Sequence, residues 1–339
     1  MPRAPEGALA ALVALPFLLG AARAPAPAAG EVLFAFQDPE IVESSGLVVR
    51  DGLAVTVNDS GDPGRVFVVD PTSGETVGVT RWDTDPRDVE AVAPAGPGEV
   101  WVGDIGDNRH VRDSIEVLRV PVGRGDRTAE PERFELVYPD GATDAETLMT
   151  EPGTGRLVVV SKGVFGGTVY RAPARLDPGR PNRLEEIGTT LGLATDGSFF
   201  PDGRHLVVRN YGRAAVLTWP RLEELGSFDL PPQEQGESIA VDERGQVLVG
   251  TEGAFSEVQS VRVPRAIEAA MASPSPTPDP TPTSSASPST TSDEVVGEAE
   301  SGDEDGSWPA LLVGGAVVLG LLLVLLVATA GAAARRRRG

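Results

Sequence analysis

Asp88 to Arg109 reads DVEAVAPAGPGEVWVGDIGDNR, and its layout decides the fold. An acid opens it, then come a short apolar segment, a Gly-containing turn, a second apolar segment and a polar Gly-rich turn. The layout returns along most of the chain. From Glu43, ESSGLVV leads through Asp51-Gly52 and LAVTVN to Asn58-Asp59-Ser60-Gly61. From Glu146, ETLMT leads through a turn to Gly155, RLVVV and Ser161-Lys162-Gly163. From Asp196, DGSFF leads through Pro201-Asp202-Gly203 and RHLVV to Arg209-Asn210-Tyr211-Gly212, and from Glu237, ESIAV leads to QVLVG and Thr251-Glu252-Gly253. Units that begin at Glu43, Glu90, Glu146, Asp196 and Glu237 are spaced by 47, 56, 50 and 41 residues. That is the size of one four-stranded propeller blade.

The expected fold class is therefore all-β, a five-bladed β-propeller over residues 31–266, with a sixth blade left open by the longer second and third units. Later strands of the blades read RVFVVD and TVGVTRW, IEVLRVPV and RFELVY, GTVYRAP and LEEIGTT, and AAVLTWP and ELGSFDL. The fifth unit keeps only VQSVRVP after its hairpin. EVLFAF at Glu31 to Phe36 is expected to supply the missing outer strand, which ties the chain ends together and removes two sheet edges.

The ends of the chain follow other rules. Residues 1–29 carry a secretory pattern, with Arg3, an apolar run from Ala8 to Gly20 and the small-residue site Ala26-Pro27-Ala28. Residues 272–306 are rich in Pro, Ser and Thr and then in acids, a composition that builds no core and reads as an extended stalk. Residues 308–334 are apolar and uncharged, long enough as a helix to cross about 30 Å of hydrocarbon. Arg335 to Arg338, in the tail 335–339, would stay inside. The expected protein is single-pass in the plasma membrane, with its bulk extracellular and its C-terminus cytoplasmic.

Composition removes several function classes. There is no Cys, hence no disulfide and no thiol nucleophile. The two histidines are His110 and His205, and no GxSxG elbow or phosphate-binding Gly loop is present. A net charge of −21 argues against nucleic acid as a ligand. Partners of the outer domain are a small polar ligand or an envelope protein.

In an up-and-down blade, the first strand starts on the face where the second ends, so acids and polar turns meet around one mouth of the channel. That face is expected to collect Glu43, Glu90, Glu146, Asp196 and Glu237, with Asp88 and Asp144 beside them. Asn58, Asp59, Asp104, Asp107, Asn108, Arg109, Lys162, Arg209, Tyr211 and Glu252 come from the turns. Carboxylates at close range need a cation, internal pairing or raised pKa values. Lys162, the one lysine beside 28 arginines, is expected in a salt bridge. For any single acid, accepting backbone N–H bonds from the neighbouring blade is favoured over a catalytic role.

ESSGL at Glu43, NDSG at Asn58, DVEAVA at Asp88, GDIGDN at Gly103 and DAETL at Asp144 resemble a family of secreted propellers described as NHL-like, SdiA-regulated-like or phytase-esterase-like. The resemblance spans Val32 to Arg265 and implies the propeller and export. Related calcium-dependent propeller lactonases hold a central metal with Glu, Asn and Asp. By that resemblance Glu43, Asn58, Asp104 and Asn108 are the positions that could imitate those ligands, and Ca2+ is the one cofactor it implies. Two functions stand open: a cell-surface module that binds a ligand or protein, and a Ca2+-dependent ester or lactone hydrolase with Glu90 or Glu146 as base.

Overall fold

A computed structural model of the chain describes residues 30–59 and 61–273. The expected signal, most of the stalk, the membrane-spanning segment and the basic tail lie outside the described residues. No helix among the described residues is long and apolar enough to cross a membrane.

The described chain is a ring of five antiparallel sheets, with no sixth. After a first strand β1 (Glu31–Ala35), the first blade is β2 (Ser44–Arg50), β3 (Leu53–Asn58), β4 (Arg65–Val69) and β5 (Thr76–Arg81). The second is β6 (Val89–Gly96), β7 (Glu99–Asp104), β8 (Ile115–Pro121) and, past a two-residue strand β9 (Arg127–Thr128), β10 (Glu132–Val137). The third is β11 (Ala145–Thr150), β12 (Leu157–Ser161), β13 (Gly167–Arg171) and, past the short β14 (Asn182–Arg183), β15 (Glu185–Thr190). The fourth is β16 (Asp196–Phe199), β17 (His205–Arg209), β18 (Arg213–Thr218) and β19 (Glu224–Asp229). The fifth has β20 (Ser238–Val241), β21 (Val247–Gly250) and β22 (Glu257–Val261), completed by β1 along β22 in antiparallel register, Glu31 opposite Ser260. The innermost strands β2, β6, β11, β16 and β20 pack side by side, and β20 returns to β2 to close the ring.

The extra length of the second and third units has a definite use. β9 leaves the second blade to run parallel to β5 of the first, and β14 leaves the third to run parallel to β10 of the second. Each is a strap across the outer seam between neighbours. Asn182 fixes the second one: its buried amide donates to Glu135 O at 3.0 Å and accepts from Asp177 N at 2.8 Å.

Continuous apolar runs such as RVFVV arise because each blade is covered on both faces. In β3 and β4, Val55, Val57, Val66 and Val68 join a buried cluster with Val89, Val102 and Leu118 of the second blade. The alternate residues Ala54, Phe67 and Val69 join Phe34, Phe36 and Leu248 of the closing blade. Three further clusters fill the other three seams. Five seams thus share the core, and the period of two decides which seam each side chain enters. The Ala-rich piece after the last strand is a short helix, α1 (Arg265–Ala272), whose Ile267 packs over β19. Gly226 makes room for it, since a Cβ there would lie 2.9 Å from Ile267.

Candidate functional site

The heads of the innermost strands and the ends of their partners lie on one face, as the repeat requires, but the acids do not share one register. Strand pairing aligns Ser44 with Asn58, Val89 with Asp104 and Ala145 with Ser161. Glu43, Asp88 and Asp144 therefore occupy one equivalent position, just ahead of the strand, as Glu237 does in the fifth blade. Glu90 and Glu146 come two residues later, each left out of the ladder by a β-bulge. Asp196 is in the strand itself, opposite Arg209. A bulge re-aims the side chain it releases. Glu90 and Glu146 end up 5% and 4% exposed, and the charge of Glu146 helps raise the pKa of Glu90.

Several sequence candidates are spent on holding blades together. Asn58 accepts Val42 N at 3.1 Å and Glu43 N at 3.2 Å and donates to Glu40 O at 2.8 Å. Asp104 repeats this one blade on, accepting Arg87 N at 2.8 Å, Asp88 N at 3.1 Å and the Arg112 guanidinium at 2.7 Å. Neither offers an open oxygen to a metal, and Glu43 and Asn108 are exposed on the rim, as is Arg109. The four residues suggested by resemblance thus do not fit as a Ca2+ cage. Asp107 closes its own loop on Val111 N and Arg112 N, while its amide donates to Asp144 Oδ1 across the blade seam at 2.8 Å. Asp196 accepts Ile239 N of the fifth blade at 2.8 Å and Gly197 N at 2.7 Å, the structural role open to every acid of the repeat.

Arg209, expected near a ligand, is fully buried. Its guanidinium donates to Ser238 O at 3.0 Å, Gly250 O at 3.2 Å, Gln233 Oε1 at 3.0 Å and Tyr211 O at 3.2 Å, joining the fourth and fifth blades. Burial lowers its pKa to about 10, against the raising effect of Glu237 and Asp196.

What remains at the mouth is a set drawn from all five blades: Asp59, Glu90, Glu146 with Lys162, Tyr211, and Glu237 with Glu252. Lys162 pairs with Glu146, as expected, and stands 5.4 Å from the centre of the Tyr211 ring. Burial raises Glu90 to about 10, helped by the charges of Asp59, Glu146 and Asp88. Burial likewise raises Glu146 to about 8, more than the Lys162 ammonium lowers it. Glu237 is raised by burial, and Glu252 reaches about 7 through burial and the charges of Glu237, Asp59 and Glu43. Asp59, expected on this face beside Asn58, follows it one place beyond the strand end and meets Asp88 and Glu90 of the next blade. Arg112 was not singled out from the sequence, because it lies eight residues past Asp104 in a loop with no repeat.

A cavity of about 590 Å³ lies at the other end of the channel, walled by Val48, Val92, Met149, Phe199 and Val241 of the five innermost strands. Its rim charges are engaged elsewhere: Arg50 lies 3.8 Å from Glu243, and Glu151 takes the Trp219 indole N–H at 2.7 Å. Volume and convergent chemistry thus occupy opposite mouths.

No family model matches the chain, and no curated protein matches it. Among solved structures, it is similar to the crystal structure of Myxococcus xanthus glutaminyl cyclase, at 13% identity over 69% of this chain and 95% of that one, with a TM-score of 0.45.

Proposed function

We propose that the protein is a cell-surface binding module whose acid-lined mouth docks a partner protein through a basic side chain. The observation that carries this reading is the distribution of exposed apolar residues. Of nine large hydrophobic residues exposed among the described residues, seven lie in loops of the acidic face. Val111, Val164, Phe165, Tyr211 and Phe255 stand in the loops after the second strands of four blades, with Phe165 wholly exposed. Val42 and Leu193 sit in the linkers that enter the first and fourth blades. Contacts that ring a recessed polar centre and exclude water strengthen a charged pair inside it, as around an interface hot spot. A Lys or Arg of the partner entering this mouth favours the charged form of the recessed acids and draws Glu90 and Glu146 toward ionisation.

The leader at 1–29 and the apolar span at 308–334 support an anchored protein that presents this face outside the membrane. A hydrolase reading asks Glu90 or Glu146 to act as base. Glu90, raised to about 10 by burial, keeps its proton at neutral pH and suits a donor better than a base. The binding reading is therefore the stronger.

The test is photo-crosslinking in cells that express the full chain. A photoreactive residue at Phe165 or Phe255 should give a discrete adduct, while one at Glu243, on the opposite mouth, should not. Adducts from Glu243 alone, or none from the acidic face, would reject the assignment.

A further inference from the structure

We infer that Asp59, Asp88 and Glu90 hold a hard divalent cation, Ca2+, across the seam between the first and second blades. Each residue offers one carboxylate oxygen, and the three oxygens lie within 4.8 Å of one another. Ca–O bonds of about 2.3–2.6 Å place opposite ligands of one ion about 4.6–5.2 Å apart, so a single Ca2+ can seat among all three. The smaller Mg2+, with bonds of about 2.0–2.1 Å, would have to draw them closer. An all-oxygen, all-carboxylate donor set favours a hard ion over Zn2+ or Cu2+.

Two independent features point the same way. Glu90 is 5% exposed, yet its carboxylate takes no hydrogen bond from a described residue, and the groups that bear on it act through charge alone. A buried carboxyl group aimed into a cluster, with no described donor on it, is a costly arrangement unless something is meant to fill it, and a cation there would displace its proton. The second feature is Gly106, in the turn after β7. A Cβ at that position would fall 2.5 Å from Asp88 Oδ2 and 2.7 Å from Glu90 Oε1. Glycine keeps open the gap into which the two carboxylates point. The amide of Gly106 donates to Asp88 O at 3.1 Å, which anchors the turn over the same spot.

This set shares no residue with Glu43, Asn58, Asp104 and Asn108, whose donor atoms are used or exposed. It also stands apart from the partner reading, because it needs only the chain and the ion. A bound Ca2+ would tie Asp59 of one blade to Asp88 and Glu90 of the next, doing at the inner seam what β9 does at the outer one.

The experiment is calorimetric titration of CaCl2 into the chelator-treated full chain, with the melting temperature followed in parallel. One Ca2+ per chain and a rise in melting temperature are expected. Glu90→Gln and Asp88→Asn should each weaken binding at least tenfold, while Glu243→Gln at the far mouth should leave it intact. Glu90→Gln removes a buried acid without changing its shape; Asp59→Asn, at a half-exposed site, is a second variant for which misfolding is no excuse. Absence of saturable Ca2+ uptake by the wild type, or undiminished uptake in folded Glu90→Gln or Asp59→Asn, overturns the assignment. Either result leaves crosslinking from Phe165 untouched, so the two readings fail separately.

Discussion

At the scale of single residues, burial separates acids that look alike in sequence. Glu146 folds into a site where its pKa rises from 4.5 to about 8, because burial outweighs the Lys162 ammonium. The folded state therefore holds a proton that the unfolded chain releases above about pH 4.5. Stability from this group is complete below that pH and is lost progressively as pH rises to about 8. In chelator, the melting temperature of the wild type should fall between pH 5 and 8 more steeply than that of Glu146→Gln, as thermal scans at stepped pH will show. A residual slope toward higher pH belongs to Glu90, whose pKa lies near 10. A variant with the same slope as the wild type would show that Glu146 is ionised throughout. The sequence placed these acids near one mouth correctly, yet treated them as one repeated position. Nothing in the letters marks a β-bulge, which inserts one residue and redirects one carboxylate. Arg209 was misread for a related reason: an arginine that closes a polar turn looks the same whether it faces solvent or the backbone carbonyls of Asn210, Tyr211, Ser238 and Gly250.

Among the elements, β1 bears more weight than its five residues suggest. Phe34 and Phe36 stand 5.6 Å apart edge to face, and Phe36 is 1% exposed in the seam between the last blade and the first. Loss of that anchor leaves a cavity and frees β22 as an exposed edge. Phe36→Ala should cost about 3–5 kcal/mol in urea denaturation and should shift part of the chain to larger species in size-exclusion chromatography. A monodisperse variant with unchanged denaturation would mean that the ring closes without β1. This closure was legible because the shortage of strands in the fifth unit is a matter of counting. β9 and β14 were not legible. Two residues of parallel pairing, Arg127-Thr128 and Asn182-Arg183, impose no alternation and draw their hold from backbone and from polar groups such as Asn182 and Asp126. Their only trace in the sequence was the surplus length of the second and third units, which had left a sixth blade open.

At the scale of the whole molecule, repetition makes five rather ordinary sheets into one site, because each turn of the ring delivers another acid to the same mouth. Positive charge does not repeat with it: Lys162 is the one lysine of a chain carrying −21. The rim acids therefore repel one another over distances that salt screens, since the Debye length shrinks from about 10 Å at 0.1 M to about 3 Å at 1 M. Glu252 is pushed up to about 7 first by burial and then by Glu237, Asp59 and Glu43, which ties the fifth blade electrostatically to the first. The melting temperature of the chelator-treated chain at pH 8 should rise with added NaCl. Glu43→Gln and Glu252→Gln together should raise it at low salt and flatten that dependence, and the double variant should gain less than the sum of the singles, because removing either acid relieves the same repulsion. Strictly additive singles, or a salt response unchanged in the double variant, would place the repulsion elsewhere. The ring would then be held apart by charge spread over its outer strands, and the acidic mouth would lose its claim to be the electrostatic centre of the molecule.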